Sequence, residues 1–346
     1  MERYDYNLPY MLQYEHVAWY EEGEVKILDR RIYPKEVSYV NCKSYMDVRQ
    51  AIKDMVTQSA GPYTAAGMGM ALAAYQARNL EDDDKIEFLK NASEQIATAR
   101  PTTANRMRKI TENSLYIGIK AIKEKKNPAE AIKNDTIKSL NRRYSTMKIV
   151  AKNLCSLIKD GDKILTQCFG ETIIGMMLRI LKEEEKNVSF YCAETRPYYQ
   201  GARLTATCCS EMGFETTIVT DNAIAYLMEN IGIDLFTSAA DTITRDGNVA
   251  NKIGTYQIAI LSKHFNIPYY VTGIPDDDKY TREDITIEMR DPNLVLEGRT
   301  AKNVKALYPS FDITGKEFID KIVTDKGNYD PENLHTYFDS ETKRFY

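Results

Sequence analysis

The second half of the chain repeats one pattern five times: KILT at 163–166, VSFYC at 188–192, TTIVT at 216–220, LFTS at 235–238 and YYVT at 269–272. Each run is short, apolar and rich in β-branched residues, as buried strands are. The runs are separated by segments with helical spacing of their apolar residues, at 173–186, 201–212, 223–231 and 253–264. This alternation predicts βαβ units, and therefore a Rossmann-like, doubly wound parallel sheet.

The first half of the chain has a different rhythm. Two β-like runs, VKIL at 25–28 and VSYV at 37–40, are separated by charged and proline-containing turns. From Ser44 to Lys126 the pattern is helical, for example at 45–55, 65–77 and 110–123, and a further helix is predicted at 135–157. We therefore expect an α/β protein with two domains. Residues 1–134 form a mostly helical N-terminal domain with a small antiparallel sheet, and residues 135–346 form the Rossmann-like domain.

The composition argues against several classes of function. The chain has 346 residues and a net charge of −4, so it lacks the positive field that attracts nucleic acid. No apolar run is long enough to span a bilayer, and the N-terminus MERYDY has no signal-peptide core. The six cysteines contain no Cys-x-x-Cys pair and there are only three histidines, which argues against a structural zinc site. Cysteines within apolar segments indicate a reducing compartment, so we expect a cytoplasmic protein.

Two candidate catalytic residues follow predicted strands, where ligands gather in a doubly wound sheet. Cys168 follows the first strand and precedes a glycine and a predicted helix. A helix N-terminus lowers the pKa of a thiol placed there, so Cys168 is a candidate base or nucleophile. The alternative is a packed small hydrophobic side chain. Asp241 follows the strand at 235–238 and is a candidate general acid or base, with the N-cap of the next turn as its alternative.

Three further segments carry groups that bind anions or hydroxyls. ETRPYYQGARLT at 194–205 offers Arg196, Gln200 and Arg203 near a predicted helix start, although Arg–Glu pairing in a polar loop explains the arginines equally well. DGNVANKIGT at 246–255 offers Asn251 and Lys252, which we expect to enter a helix. ARPTTAN at 99–105 offers Arg100. No glycine-rich dinucleotide fingerprint or phosphate-binding loop is present, which argues against a nicotinamide dehydrogenase or a kinase.

Taken in order, these segments resemble the methylthioribose-1-phosphate isomerase family. The alpha, beta and delta regulatory subunits of the exchange factor for translation initiation factor two are related to that family. The resemblance covers nearly the whole chain, and its most specific stretches are ETRP at 194–197 and NKIGT at 251–255. The other matching stretches include MALAA at 70–74, ARPTTAN at 99–105, ILTQC at 164–168, TDN at 220–222 and ITIEMRDP at 285–292.

The resemblance implies an aldose–ketose isomerase that converts a 5-substituted ribose 1-phosphate to the ribulose 1-phosphate. It implies that Asp241 is the acid–base group at ring opening. Cys168 would be the thiolate base for the hydrogen transfer, or would steer it if the hydrogen moves as hydride. Arg100, Gln200, Asn251 and Lys252 would hold phosphate and sugar hydroxyls. It also implies a homodimer with no metal and no other cofactor, and methylthioribose 1-phosphate or 5-deoxyribose 1-phosphate as the substrate.

The chain departs from the family pattern at several places, two of which bear most on its activity. QSAGP at 58–62 stands where the family has Arg-Gly-Ala-Pro, and the stretch after Cys168 is a shorter FGETI at 169–173. Two alternatives therefore stay open. One is a non-catalytic binding protein like the initiation-factor subunits, which the missing arginine favours and the presence of Cys168 with Asp241 opposes. The other is a ribose-1,5-bisphosphate isomerase, which needs a second cationic group where Glu171 stands.

Overall fold

A computed structural model describes residues 3–100 and 104–339 of the chain, and it describes the side chains of all of these except residues 104 and 105. The chain divides into two compact units, with the boundary between Ser145 and Thr146. That boundary lies inside one long helix, Pro128–Cys155. None of the described helices combines the length and the apolar character needed to cross a bilayer.

The first unit is mostly helical. Its small antiparallel sheet consists of β1 Trp19–Glu21, β2 Glu24–Leu28 and β3 Tyr39–Cys42, with β2 in the centre. Its α-helices are α1 Tyr14–Val17, α2 Tyr45–Lys53, α3 Gly61–Gln76, α4 Asp82–Ala97, α5 Ala104–Lys123 and α6 Pro128–Cys155.

Helix α3 is buried on nearly all of its faces, which explains its composition of alanine, glycine and methionine. A Cβ atom added at Gly67 would lie 2.5 Å from Thr136 Oγ1, and one added at Gly69 would lie 2.8 Å from a Val48 methyl group. The two glycines therefore permit neighbouring elements to pack closely against α3, so that this helix forms the centre of the first hydrophobic core.

The second unit contains a seven-stranded sheet in the order β13-β12-β10-β7-β4-β5-β6, in which every pair except β12–β13 is parallel. A second sheet, β11-β9-β8, is antiparallel. The strands are β4 Lys163–Gln167, β5 Ser189–Ala193, β6 Glu215–Val219, β7 Leu235–Ala239, β8 Thr242–Ile243, β9 Val249–Lys252, β10 Tyr269–Thr272, β11 Phe311–Thr314, β12 Lys321–Thr324 and β13 Gly327–Tyr329. The α-helices are α7 Glu171–Glu183, α8 Ala206–Glu211, α9 Ile224–Asn230, α10 Thr255–Phe265 and α11 Asn293–Leu296.

The strand order places a topological switch point beside β4. From β4 the chain adds β5 and β6 on one side of the sheet, and then β7, β10 and β12 on the other. The connections that leave the carboxyl ends of β4 and β7 therefore lead to opposite halves of the sheet, and ligands of doubly wound folds bind at such a point. The predicted fold class is confirmed: a helical N-terminal region with a small antiparallel sheet is followed by a mostly parallel, doubly wound sheet.

Two local predictions are wrong. Asn251 and Lys252 do not enter a helix, because they end β9 and pair with Asp312 and Phe311 of β11. Helix α10 begins only at Thr255, after Gly254 reverses the chain at a φ of 99°. The helix predicted at 135–157 begins seven residues earlier, because Pro128 is the first residue of α6, where its missing N–H costs no hydrogen bond.

Candidate active site

Cys168 lies directly after β4, at the switch point, in a strained backbone conformation. Its φ of +61° belongs to the left-handed region, which a non-glycine residue adopts only at a free-energy cost. Two threonine hydroxyls hold this conformation. The Cys168 N–H donates to Thr195 Oγ1 at 2.9 Å, and Thr205 Oγ1 donates to the Cys168 carbonyl at 2.5 Å. Strain that neighbouring groups maintain in this way is typical of functional sites.

Thr195 connects three neighbouring strands at the same edge of the sheet. It follows β5, and its hydroxyl donates to the Ala193 carbonyl at 3.0 Å while accepting from Cys168 after β4. Asp221, after β6, accepts hydrogen bonds from the backbone N–H groups of Thr195 and Arg196, both at 2.8 Å. The carboxyl ends of β4, β5 and β6 are therefore tied together by polar groups of the chain itself.

Residue Cys168 is only partly exposed, and the environment of its thiol opposes ionisation. Burial raises the pKa of this thiol and the charge of Asp241 adds to the rise, so that the net value is about 11. The Lys252 ammonium group and the Phe169 amide act in the opposite direction. The predicted lowering of the pKa by the N-terminus of α7 is therefore wrong, since the desolvation of the thiolate outweighs the favourable dipoles.

Asp241 lies in the short connection between β7 and β8, on the other side of the switch point. Its N–H donates to the Ala250 carbonyl at 3.0 Å, and the chain continues directly into strand β8. Asp241 is therefore not the N-cap of a helix. The residue is exposed, and its carboxylate is near enough to Cys168 to raise the pKa of the thiol. An acid–base pair that can reach one small ligand has this arrangement.

A network of side chains joins the end of β4 to the end of β9. Gln167 Nε2 donates to the Ile253 carbonyl at 3.0 Å, and Gln167 Oε1 lies 3.1 Å from Thr255 Oγ1. Thr255 Oγ1 also accepts from Asn251 Nδ2 at 3.1 Å and lies 2.7 Å from the Lys252 carbonyl. These contacts position Asn251 and Lys252 beside the strand that carries Cys168.

Lys252 is buried, which is rare for a lysine. Its Nζ lies 4.8 Å from the centroid of the Phe311 ring, and its charge acts on the Cys168 thiol. A buried ammonium group with an aromatic neighbour is available to attract an anionic or polarised oxygen.

Gln200 opens a short π-helical turn, Gly201–Thr205, that leads into α8. Such turns are frequent at functional sites. The Gln200 side chain is buried, and its Oε1 has no hydrogen-bond partner among the residues that the structure describes. The turn packs tightly against β5, because a Cβ added at Gly201 would lie 1.8 Å from the Ala193 carbonyl oxygen. Gln200 therefore offers a buried acceptor at the edge that carries Cys168.

The two arginines of the 194–205 segment are engaged within the protein. Arg196 Nη2 lies 2.7 Å from a Glu297 carboxylate oxygen, and Arg203 donates to the Tyr198 carbonyl from both Nε and Nη2. For Arg196 this is the Arg–Glu pairing that the sequence offered as an alternative. Arg100 belongs to the first unit, at the end of a described segment, and Pro101–Thr103 lie outside the described residues. A role for Arg100 in binding stays a prediction.

Four of the predicted site residues lie around the carboxyl ends of β4 and β5 and the end of β9: Cys168, Gln200, Asn251 and Lys252. The fifth, Asp241, is near enough to raise the pKa of the Cys168 thiol. The sequence analysis assigned no role to the polar residues that hold them, which are Gln167, Thr195, Thr205 and Thr255. Their position directly after strands or before helices was a usable signal. The partner that each hydroxyl contacts, however, depends on the order of the strands in the sheet.

The comparison with known proteins places this arrangement in a family. The chain matches the Initiation factor 2 subunit family over residues 58–331. Methylthioribose-1-phosphate isomerase 1 of Pseudothermotoga lettingae is 36% identical over 338 residues, which cover 90% of this chain and 95% of that protein. Methylthioribose-1-phosphate isomerase of Thermotoga maritima is 36% identical over 331 residues, which cover 88% and 92%.

Solved structures agree with the sequence relatives. The crystal structure of 5-methylthioribose 1-phosphate isomerase from Pyrococcus horikoshii superposes with a TM-score of 0.81 at 26% identity, covering 95% of this chain and 97% of that chain. The delta subunit of translation initiation factor eIF-2B from A. fulgidus superposes with a TM-score of 0.79 at 28% identity, covering 91% and 96%. On its sequence match and its fold, this chain belongs to the Initiation factor 2 subunit family.

Proposed function

We propose that this protein is an aldose–ketose isomerase that converts a 5-substituted ribose 1-phosphate to the corresponding ribulose 1-phosphate. Methylthioribose 1-phosphate is the first substrate to test, with 5-deoxyribose 1-phosphate as the second. The observation that carries the proposal is the pairing of Cys168 with Asp241 across the switch point, beside the buried Lys252. The isomerase relatives, which match nine-tenths of the chain, support the same conclusion.

The chemistry of the substrate explains why two proton-active groups are needed. A phosphate on the anomeric oxygen locks the sugar as a furanose, so an acid must protonate the ring oxygen before the ring opens. The hydrogen on carbon two then moves to carbon one, and the oxygen of carbon two becomes the ketone. Carbon two loses an electron pair with its hydrogen and carbon one gains that pair, while the proton released from the carbon-two hydroxyl replaces the one given to the ring oxygen, so that no atom is gained or lost. Asp241 acts as the acid–base group at ring opening.

Cys168 acts at the hydrogen transfer. With a pKa of about 11, its thiol is protonated at neutral pH, so it becomes a base only after losing that proton. The thiolate formed in this way is a strong base, which suits the removal of a proton from carbon. If the hydrogen moves as hydride, the neutral thiol instead shields and steers the transfer. Gln200, Asn251 and Lys252 bind the sugar hydroxyls and phosphate.

The proposal extends to the state of the protein in the cell. We place it in the cytoplasm, because all six cysteines are free thiols and five of them are buried in apolar surroundings. The partner in solution is a second copy of the chain, as the family resemblance implies, and no nucleic acid is involved. The net charge of −4 supports the last point.

The experiment is an NMR assay of purified protein with methylthioribose 1-phosphate, 5-deoxyribose 1-phosphate and ribose 1,5-bisphosphate in parallel. We expect ketose to form from one of the first two sugars. The Cys168→Ser and Asp241→Asn variants should fold and lose at least about 100-fold in kcat, the size typical of a lost acid–base group.

Cys155→Ser is the matched control, since Cys155 is a buried thiol that contacts the Met177 carbonyl. It should retain its kcat. Turnover of all three sugars at background rate would refute the proposal and favour a binding protein. Turnover of ribose 1,5-bisphosphate alone would mean that this sugar, and not a 5-substituted ribose 1-phosphate, is the substrate. Full activity of Cys168→Ser would mean that the thiol has no part in the mechanism.

A further inference from the structure

Tyr308 carries a buried hydroxyl that the mechanism above does not use. The residue is 3% exposed, and its hydroxyl has no hydrogen-bond partner within the described ranges. A tyrosine hydroxyl that is removed from water without a partner costs free energy, and buried tyrosines therefore normally have one. An orphaned hydroxyl in a native structure calls for a ligand that satisfies it.

The backbone places Tyr308 beside the end of β9. Its carbonyl accepts a hydrogen bond from the Arg290 N–H at 2.9 Å. Two residues further on, the Ser310 carbonyl accepts from the Ile253 N–H at 3.0 Å, just beyond Lys252. The Ile253 carbonyl in turn accepts from Gln167, the residue before Cys168. The segment that holds Tyr308 is therefore attached to the same turn that joins β4 to Lys252.

The ring of Tyr308 has an aromatic neighbour on the segment that leads to Gln200. Its centroid lies 6.4 Å from that of Tyr198, which is two residues before Gln200. Burial raises the pKa of the Tyr308 phenol, the Arg290 charge lowers it, and ionisation of Tyr198 or Cys168 would raise it further. Two buried groups without partners among the described residues, the Tyr308 hydroxyl and Gln200 Oε1, are thus linked through Tyr198, which neighbours the Tyr308 ring and lies two residues before Gln200. The Tyr308 phenol is also near enough to Cys168 for the charge of a thiolate to act on it.

We propose that the Tyr308 hydroxyl is a substrate-binding group that forms a hydrogen bond with the 3-hydroxyl of the ribosyl ring. This inference rests on the isomerase proposed above. A 5-substituted ribose 1-phosphate has two free ring hydroxyls, on carbons two and three, and the first of them reacts. A phenol that keeps its proton at working pH is poorly suited to acid–base work, so it matches the hydroxyl that remains unchanged. Both the donor and the acceptor capacity of the phenol are then available to the sugar.

The test compares Tyr308→Phe with the unsubstituted protein on the parent sugar phosphate and on its 3-deoxy analogue. The variant removes one oxygen atom and keeps the ring. We expect KM on the parent to rise about tenfold with kcat within about twofold, the pattern of a neutral hydrogen bond made equally in the ground and transition states. On the 3-deoxy analogue the two proteins should have the same kcat/KM. Without substrate, the Tm of the variant should be equal or higher, because an unsatisfied hydroxyl has been removed.

Tyr337→Phe is the matched control. Tyr337 is also fully buried in the second unit, but its hydroxyl donates to Asp325 at 2.9 Å. This variant should lower the Tm and leave KM unchanged. An unchanged KM in Tyr308→Phe on the parent sugar, or a tenfold loss that persists on the 3-deoxy analogue, would overturn the role of Tyr308. Failure of the unsubstituted protein to turn over any sugar phosphate would instead overturn the proposed function, and the substrate named here with it.

Discussion

The ionisation of Cys168 provides the most direct test of the site, because it can be measured without a substrate. Burial raises the pKa of the thiol to about 11 even though the Lys252 ammonium group opposes the shift. At pH 8 the thiol is then three pH units below its pKa, so about one molecule in a thousand carries the thiolate. Forming the thiolate at that pH costs about 4 kcal/mol, at 1.36 kcal/mol for each unit.

The assay is alkylation of the protein by iodoacetamide between pH 7 and pH 11, followed by mass spectrometry of the modified peptides. All six cysteines lie in the described ranges, and five of them are buried, whereas Cys168 is partly exposed. The thiolate is the reactive form, so the rate at Cys168 should rise about tenfold per pH unit and level off near pH 11. Lys252→Met should slow the reaction at every pH below the plateau, since the charge that favours the thiolate is removed.

The Cys168→Ser variant shows which alkylation belongs to Cys168, because the modification whose rate rises tenfold per pH unit should be missing from it. A plateau at or below pH 8 would refute the reasoning, since it would mean that Lys252 and the amides before α7 outweigh desolvation. The same titration bears on the mechanism. If the thiolate is the base, kcat/KM should also rise about tenfold per pH unit up to the pKa of the thiol. A flat profile would favour the route in which hydrogen moves as hydride.

Two further predictions concern the scaffold of the site. Burial raises the pKa of Asp312 from 3.8 to about 6, so its carboxyl group binds a proton more tightly in the folded state than in the unfolded state. Relative to Asp312→Asn, the free energy of unfolding should therefore fall by about 3 kcal/mol as the pH rises from 4 to 6, and then stay constant. Urea unfolding that shows the same pH dependence for the two proteins across that range would contradict this. Gly201→Ala should cost more than about 3 kcal/mol of stability or prevent folding, because its Cβ would lie 1.8 Å from the Ala193 carbonyl oxygen. The control Gly213→Ala meets only the strain of a φ of +84° and should cost about 1 kcal/mol. Equal Tm values for the two variants would show that the turn at Gly201 is loosely packed.

Much of the fold could be predicted from local patterns. The strand YYVT at 269–272 matches β10 residue for residue, and the other four runs match their strands within one residue at either end. Helix α4 lies within the stretch predicted to be helical, but its bounds were not assigned, although Asp82–Ala97 is a regular helix with three aspartates in its first turn. The turn at 251–255 was misassigned, because the strand character of Asn251 and Lys252 comes from pairing with β11, about sixty residues further along the chain.

The sequence by itself determined the class of the fold and the identity of Cys168 and Asp241 as candidates, since strands and helices are local patterns and ligands gather where parallel strands end. Only the tertiary structure decided how those candidates behave. The order of the strands puts β4 beside β7 and so brings the carboxylate to the thiol. Burial, which no short stretch of sequence specifies, reverses the expected shift of the Cys168 pKa and leaves the Tyr308 hydroxyl without a partner in the described structure. Desolvation and hydrogen bonding depend on what surrounds a group in space. Tyr308 lies close enough to Cys168, 140 positions earlier in the chain, for the charge of a thiolate to act on its phenol.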